Sequence, residues 1–137
     1  MAQVLAILAH LIGDYGLQSD WMVLNKQKRA GVCALHAMLY TIPFYFLCFP
    51  LGVLNGAILF KLSLIYVTHA IIDHYSLAKY FIRARNHVFS ESDFRPDAEL
   101  CEFTGMSASR PEGIRWIVYT ITDNMFHLII NYYVLIM

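Results

Sequence analysis

The sequence predicts an all-α polytopic membrane protein, four transmembrane helices in a bundle with a short interfacial helix after the third. Three observations predict it. Of 137 residues, 58% are hydrophobic and only 15% charged, and mean hydropathy is positive. A soluble chain of this size and composition would expose large apolar patches. The apolar residues also gather into four long segments rather than alternating with polar ones. Finally, the basic residues collect in two of the connections between those segments.

The first span covers about 2–18 and is short for a hydrocarbon core of about 30 Å. No basic stretch precedes it and no clean small-residue cleavage site follows, so it reads as a retained helix and not a signal peptide. The next connection, DWMVLNKQKRAG, is polar and basic. The second span covers about 32–51 and carries Pro43 and Pro50, which kink it or mark its exit. A tight uncharged turn near 52–56 leads to the third span, about 54–75. Residues 76–112 form the one large polar loop and hold all the glutamates, Glu91, Glu99, Glu102 and Glu112. Within its first part, SLAKYFIRARN, Leu77, Tyr80, Phe81 and Ala84 recur at helical spacing opposite Lys79, Arg83 and Arg85, which predicts the interfacial helix. The rest, 86–112, reads as a surface loop or lid. The fourth span covers about 113–137, with Trp116 near one end and Tyr132 and Tyr133 near the other, where aromatics suit the membrane–water boundary. No repeat divides the chain, and 1–137 reads as a single membrane domain.

Orientation follows from charge. Lys26, Lys28 and Arg29 lie in the first connection, and Lys79, Arg83, Arg85, Arg95, Arg110 and Arg115 in or beside the third. With four spans those connections share a side, and Lys61 alone lies near the other. The positive-inside rule puts the loops in the cytoplasm and both termini outside it. Formal net charge is zero, so no global basic field suggests nucleic acid. Cys33, Cys48 and Cys101 lack metal-type spacing, and their odd number argues against a disulfide framework.

Against this apolar background the spans carry His10 and Asp14, His36, His69 and Asp73, and Asp123 and His127. Each ionisable group at membrane depth costs at least about 2.5 kcal/mol and needs a reason. Residues four apart on a helix project from one face about 6 Å apart, the reach of two ligands to one ion. Spans one and three read His-xxx-Asp, whereas span four reads Asp-xxx-His. Reversing the order on an antiparallel helix keeps every aspartate on the cytoplasmic side of its histidine. His36, near the cytoplasmic start of span two, falls in the same layer. Asp123 lies deeper, about 15 Å along span four by helical rise, so that helix starts below the membrane surface or is tilted.

Imidazole nitrogens and carboxylate oxygens suit a divalent metal, zinc first, with manganese or iron as alternatives. Seven candidate ligands, His10, Asp14, His36, His69, Asp73, Asp123 and His127, suit one or two ions, and carboxylate–histidine sets on facing helices build di-metal sites. Asp14, Asp73 and Asp123 are the candidate catalytic carboxylates, one serving as base while the ion acidifies a water. The bland alternative is that each pair only hydrogen-bonds and joins helices. A proton or ion conduit is a second alternative. Haem between paired histidines is disfavoured by the aspartate partners. Lys26, Arg29, Lys79, Arg83 and Arg85 are placed to meet lipid phosphate, although topology alone also accounts for them. Gln18, Asp20 and Asn25 line the approach to the site or cap the first connection.

The strings HLIGDYGLQSDWMVLNK, LHAMLY, THAIIDHY and TDNMFHLIINY resemble the small bacterial and phage membrane proteins of domain-of-unknown-function family 3307. The resemblance spans nearly the whole chain. It implies a bacterial inner membrane, or a host inner membrane for a phage-encoded chain. More distantly, the His-xxx-Asp pairs are similar to those of membrane-bound metal-dependent hydrolases and of the helical zinc phospholipase C and nuclease fold. That likeness implies the same seven residues as ligands. The soluble fold uses more, a terminal-amine tryptophan among them, with no counterpart here, which leaves metal count and substrate open.

The expected function is a membrane-embedded metal-dependent hydrolase acting on a phospholipid or other phosphate ester at the cytoplasmic side. Its partners would be membrane lipid and not nucleic acid, and a homo-oligomer is compatible with the sequence. A non-enzymatic membrane protein that modifies a host membrane or blocks a host factor, with a structural polar or metal layer, is the alternative. The topology has a direct test. A reporter fused after Met137 is expected to be active only outside the cytoplasm, and a cytoplasmic signal overturns the four-span arrangement.

Overall fold

The structure, a computed structural model, describes residues 2–49, 53–89 and 100–137. Pro50, Arg95, the start of the predicted turn at 52 and the middle of the predicted loop lie outside the described residues. The described residues form α1 (Ala2–Leu11), α2 (Asp20–Asn25), α3 (Ala30–Cys48), α4 (Gly56–Tyr75), α5 (Leu77–Phe89) and α6 (Glu112–Ile136), with a π-helical turn at Ile12–Gly16. Two compact units result, Met1–Tyr75 with His127–Met137, and Ser76–Phe126.

Two helices, α3 and α4, are long and apolar enough to cross a membrane. The other two predicted spans depart from that pattern for separate reasons. α1 has only 10 residues before the backbone loosens into the π turn. α6 has 25 residues, ample length, but Asp123, Asn124, His127 and Asn131 interrupt its apolar run.

In the first unit, helix periodicity decides what is buried. On α3 the buried positions Cys33, His36, Ala37, Tyr40, Pro43 and Phe44 recur every three or four residues. On α4 they are Ile58, Ile65, His69, Ile72 and Asp73. Ala6 and Ala9 of α1 and Val134 of α6 join Tyr40, Phe44 and Ile65 in one apolar core. The opposite faces are apolar as well: Met38, Ile42 and Phe46 of α3, and Leu59, Phe60 and Val67 of α4, are exposed. A helix apolar all round needs an apolar environment on every side.

Local chemistry sets the helix ends. Ser19 caps α2 by accepting the Met22 N–H, and the Asn55 side chain accepts the Ile58 N–H at 3.0 Å to begin α4. α4 ends where Ser76 turns to a positive φ of 51°. The π turn closes through the Leu17 N–H, which reaches back to the Ile12 carbonyl at 2.9 Å. Gly13 within it has no room for a side chain, because a Cβ there would lie 2.6 Å from Tyr40 Cδ2 and 3.1 Å from Tyr40 Cα. Glycine is what allows the π turn to press against α3 at Tyr40.

In the second unit, α5 buries Ala78 and Ile82 and leaves Tyr80, Phe81 and Ala84 exposed. Of the apolar stripe predicted for the interfacial helix, Tyr80, Phe81 and Ala84 are thus exposed and Leu77 is half-buried. Part of the predicted loop is a tight turn, closed by Cys101 N–H to the Met106 carbonyl at 2.8 Å and by Gly105 N–H to the Cys101 carbonyl at 2.9 Å. Thr104 and Met106 are buried there. Gly105, at φ +73°, lies against α5, where a Cβ would come 2.5 Å from the Lys79 carbonyl oxygen. Phe81 and Phe126 meet edge to face, ring centroids 5.4 Å apart.

The contact at Gly13 generates a prediction. Gly13→Ala gains helix propensity but drives a methyl into the Tyr40 ring, so overpacking dominates and the protein loses about 1–3 kcal/mol. Thermal unfolding in detergent followed by circular dichroism checks this, and an unchanged or raised midpoint contradicts the close approach.

Candidate metal centre

Three segments supply the centre. α4 places His69 and Asp73 one turn apart on its buried face. α3 brings His36 from its first turns, and the π turn brings Asp14. His36, His69 and Asp73 are essentially buried, while the Asp14 side chain keeps 10% of its exposure. Each offers a donor atom, and the four donor atoms lie within 4.8 Å of one another, an arrangement that can hold a metal ion.

His36 Nε2 lies 3.0 Å from His69 Nε2, 3.2 Å from Asp14 Oδ1 and 3.2 Å from Asp73 Oδ2. His69 Nε2 lies 3.2 Å from Asp73 Oδ2 and 3.6 Å from Asp14 Oδ1. Ligands bound at about 2.0–2.2 Å to a tetrahedral ion stand about 3.3–3.6 Å from each other, close to these separations.

Hydrogen bonding among the same groups accounts for the cluster poorly. With its amide oriented to satisfy both ends, Gln18 adds an oxygen 3.1 Å from His36 Nε2. That single nitrogen then faces two carboxylate oxygens, an amide oxygen and a second imidazole nitrogen. A ring nitrogen carries at most one proton, so one N–H cannot serve four such neighbours. Lone pairs converging beyond the supply of protons are what a cation satisfies.

The surroundings orient these donors. Tyr40, fully buried, stacks on His69 with ring centroids 3.6 Å apart and planes inclined by 18°. Its hydroxyl accepts from Asn131 Nδ2 at 2.6 Å and meets His10 Nδ1 at 2.8 Å. His10 Nδ1 is in turn 3.4 Å from Asp14 Oδ2, so His10 stands behind Asp14 rather than among the four converging donors. His127 places Nδ1 3.2 Å from His69 Nδ1 and Nε2 3.5 Å from Asp73 Oδ1. Lys26 donates to Asp73 Oδ2 at 2.8 Å and, across the same rim, to the Gln18 oxygen at 2.8 Å. Asp123 lies one turn before His127 on α6, within the second unit, and is half-buried. His74, beside Asp73, turns away and meets the Lys26 carbonyl oxygen at 3.2 Å.

The seven sequence-derived candidates therefore take different positions. Asp14, His36, His69 and Asp73 converge, with His10 and His127 in contact behind them. Of the other basic candidates for lipid phosphate, Arg29 is exposed, and Lys79, Arg83 and Arg85 belong to α5 of the second unit. Sequence reasoning missed Tyr40 and Asn131 and left Gln18 undecided. A signal for all three was present: Tyr40 follows His36 by four, Asn131 follows His127 by four, and Gln18 follows Asp14 by four.

Tyr40→Phe removes the hydroxyl that His10 and Asn131 share in a buried setting. The expected loss is about 1–3 kcal/mol. A detergent melting curve checks it, and a variant as stable as the parent would mean the hydroxyl does not organise the centre.

A family model described as protein of unknown function (DUF3307) matches residues 3–137. No curated protein and no solved structure matches the chain.

Proposed function

The chain belongs to the DUF3307 family, and from the chemistry of its buried donors we propose that it is a membrane-embedded, metal-dependent hydrolase of phosphate esters. The observation that carries the reading is the spacing of His36, His69, Asp14 and Asp73, 3.0–3.6 Å between the donor pairs given above. Two imidazoles with two carboxylates favour zinc, with manganese or iron as alternatives. A bound ion would supply Lewis acidity and lower the pKa of water.

The chain's own residues divide the remaining work. His36 and His69, buried and with the Tyr40 ring stacked on His69, would be the fixed ligands. Asp73 faces His127 with its second oxygen, an arrangement suited to a second ion or to orienting the first. Asp14 is the most solvent-accessible of the four, at 10% against 2% or less for the others. It is the carboxylate best placed to meet water and accept a proton, while His10 steadies its other oxygen. Asp123 stays an expectation of the sequence pattern. The same proposal has α1 with its π turn, α3, α4 and α6 crossing a bacterial inner membrane, with both termini outside the cytoplasm.

One observation favours a second reading. Four protein donors complete a tetrahedron, and closed zinc sites are structural whereas catalytic ones keep an open position. In that reading the ion joins helices of a non-enzymatic membrane protein.

Metal content decides the first step. Protein extracted without chelators is expected to hold about one equivalent of metal or more, and a His69→Ala/Asp73→Ala variant about tenfold less. Trace metal in the parent ends both readings. Asp14→Asn separates them: the hydrolase is expected to keep its metal and lose about 10²-fold in turnover of a lipid phosphate ester. A metal-loaded parent with no turnover of any phosphate ester leaves the structural reading.

A further inference from the structure

The segment from Asp14 to Lys26 has its polarity reversed relative to a surface strap in water. Asp14, Gln18, Met22 and Lys26, each four residues after the last, turn inward. Between them most of the outward residues are apolar and open, Tyr15 at 56% exposure, Leu17 at 40%, Trp21 at 50% and Leu24 at 70%, with the exposed Ser19 and Asp20 at the start of α2. Water does not favour such a surface, whereas the acyl region beneath lipid headgroups does. The inward row ends at the donors of the metal centre. Lys26 keeps 14% side-chain exposure and sits 2.8 Å from Asp73 Oδ2, one of the four converging atoms. Lys28 and Arg29, both exposed, follow on the next turn of chain.

We infer that this strap is the lateral access of a phosphate-bearing amphiphile, with Lys26 and Gln18 recognising its headgroup and Tyr15, Leu17, Trp21 and Leu24 lying along its acyl chains. The inference deepens the phosphate-ester reading above and rests on it for the chemistry at the metal. Charge complementarity selects the occupant. A phosphate oxygen that reaches a metal bound by Asp73 stands next to the Lys26 ammonium, a point-charge phosphate donor. On the side that precedes Lys26 the outer surface is apolar at Trp21, Val23 and Leu24, so the rest of the ligand meets hydrocarbon-compatible side chains there, while Lys28 and Arg29 face the headgroup side. A small soluble phosphate would satisfy Lys26 and gain nothing from that surface. A neutral lipid would gain the surface and leave Lys26 unused.

The test uses the full chain in vesicles and reads three quantities. The chain has two tryptophans, Trp21 and Trp116, so Trp116→Phe leaves Trp21 as the sole reporter. Trp21 fluorescence is expected to be quenched by phospholipid with brominated acyl chains and not by aqueous iodide. Phosphatidic acid is expected to bind about tenfold or more tighter than phosphatidylcholine, with Lys26→Arg keeping that preference and Lys26→Met losing most of it. Inorganic phosphate is expected to compete poorly with the lipid.

The inference is overturned by a water-exposed Trp21, by a preference that survives in Lys26→Met, or by inorganic phosphate competing as well as phosphatidic acid. The Trp21 measurement needs no Lys26 variant, so it stands even where Lys26→Met fails to fold. Metal content measured on the same samples keeps the two proposals apart. A metal-free protein with a Lys26-dependent lipid preference sinks the hydrolase alone. A metal-loaded hydrolase indifferent to Lys26 sinks the strap alone.

Discussion

Four lone-pair donors held within 4.8 Å of one another, inside an apolar interior, are the constraint on which the first unit depends. Two carboxylates and two imidazoles at that spacing repel or compete unless a cation or enough protons lie among them. Lys26 supplies one positive charge at the rim, 2.8 Å from Asp73. The single proton available on each ring nitrogen does not satisfy the rest. A divalent ion held among these donors would compensate both carboxylates at once.

Much of the surrounding structure serves to hold those donors in place. The π turn brings Asp14 to the cluster, and Gly13 lets that turn close against Tyr40 without a clash. Tyr40 then fixes the His69 ring by stacking and links His10 to Asn131 through its hydroxyl. Tyr40, His10, His69 and Asn131 are all buried, and close packing around such groups is how a site keeps its geometry without substrate. The polarity of the unit is inverted as a result, with ionisable groups inside and apolar faces on α3, α4 and the strap outside. A bilayer favours that inversion, since the outer faces then lose nothing to water and the inner groups satisfy one another.

Much of the candidate site was legible before folding. The His-xxx-Asp pairs His10/Asp14 and His69/Asp73, and the reversed Asp123/His127, placed their members on common faces by helix geometry alone. His36 was legible only as a lone buried histidine at the right depth. The extents of α3, α4 and α6 were also close to expectation, because unbroken apolar runs and their polar ends mark helix termini directly. The first span was harder. Its apolar run continues to Gln18, yet the backbone leaves α-helical geometry at Ile12, since two glycines and the packing of Tyr40 favour the wider turn. The stripe expected for the interfacial helix, Leu77, Tyr80, Phe81 and Ala84, has Tyr80 and Phe81 exposed, while Ala78 and Ile82 of the same helix are buried. Periodicity cannot say which of two apolar faces meets protein.

The sequence by itself determined helical class, two helices apolar enough to cross a membrane, and the pairing of histidine with aspartate one turn apart, because all three follow from composition and a 3.6-residue repeat. Only the tertiary structure decided which pair members share one point in space. His36, His69, Asp14 and Asp73 converge because three segments cross there, while His10, an equal candidate by spacing, is held behind Asp14 by Tyr40. It also decided that Lys26 belongs to the site, through a contact spanning 47 positions of chain. Spacing along one helix reports which residues share a face, and packing between helices decides what that face meets.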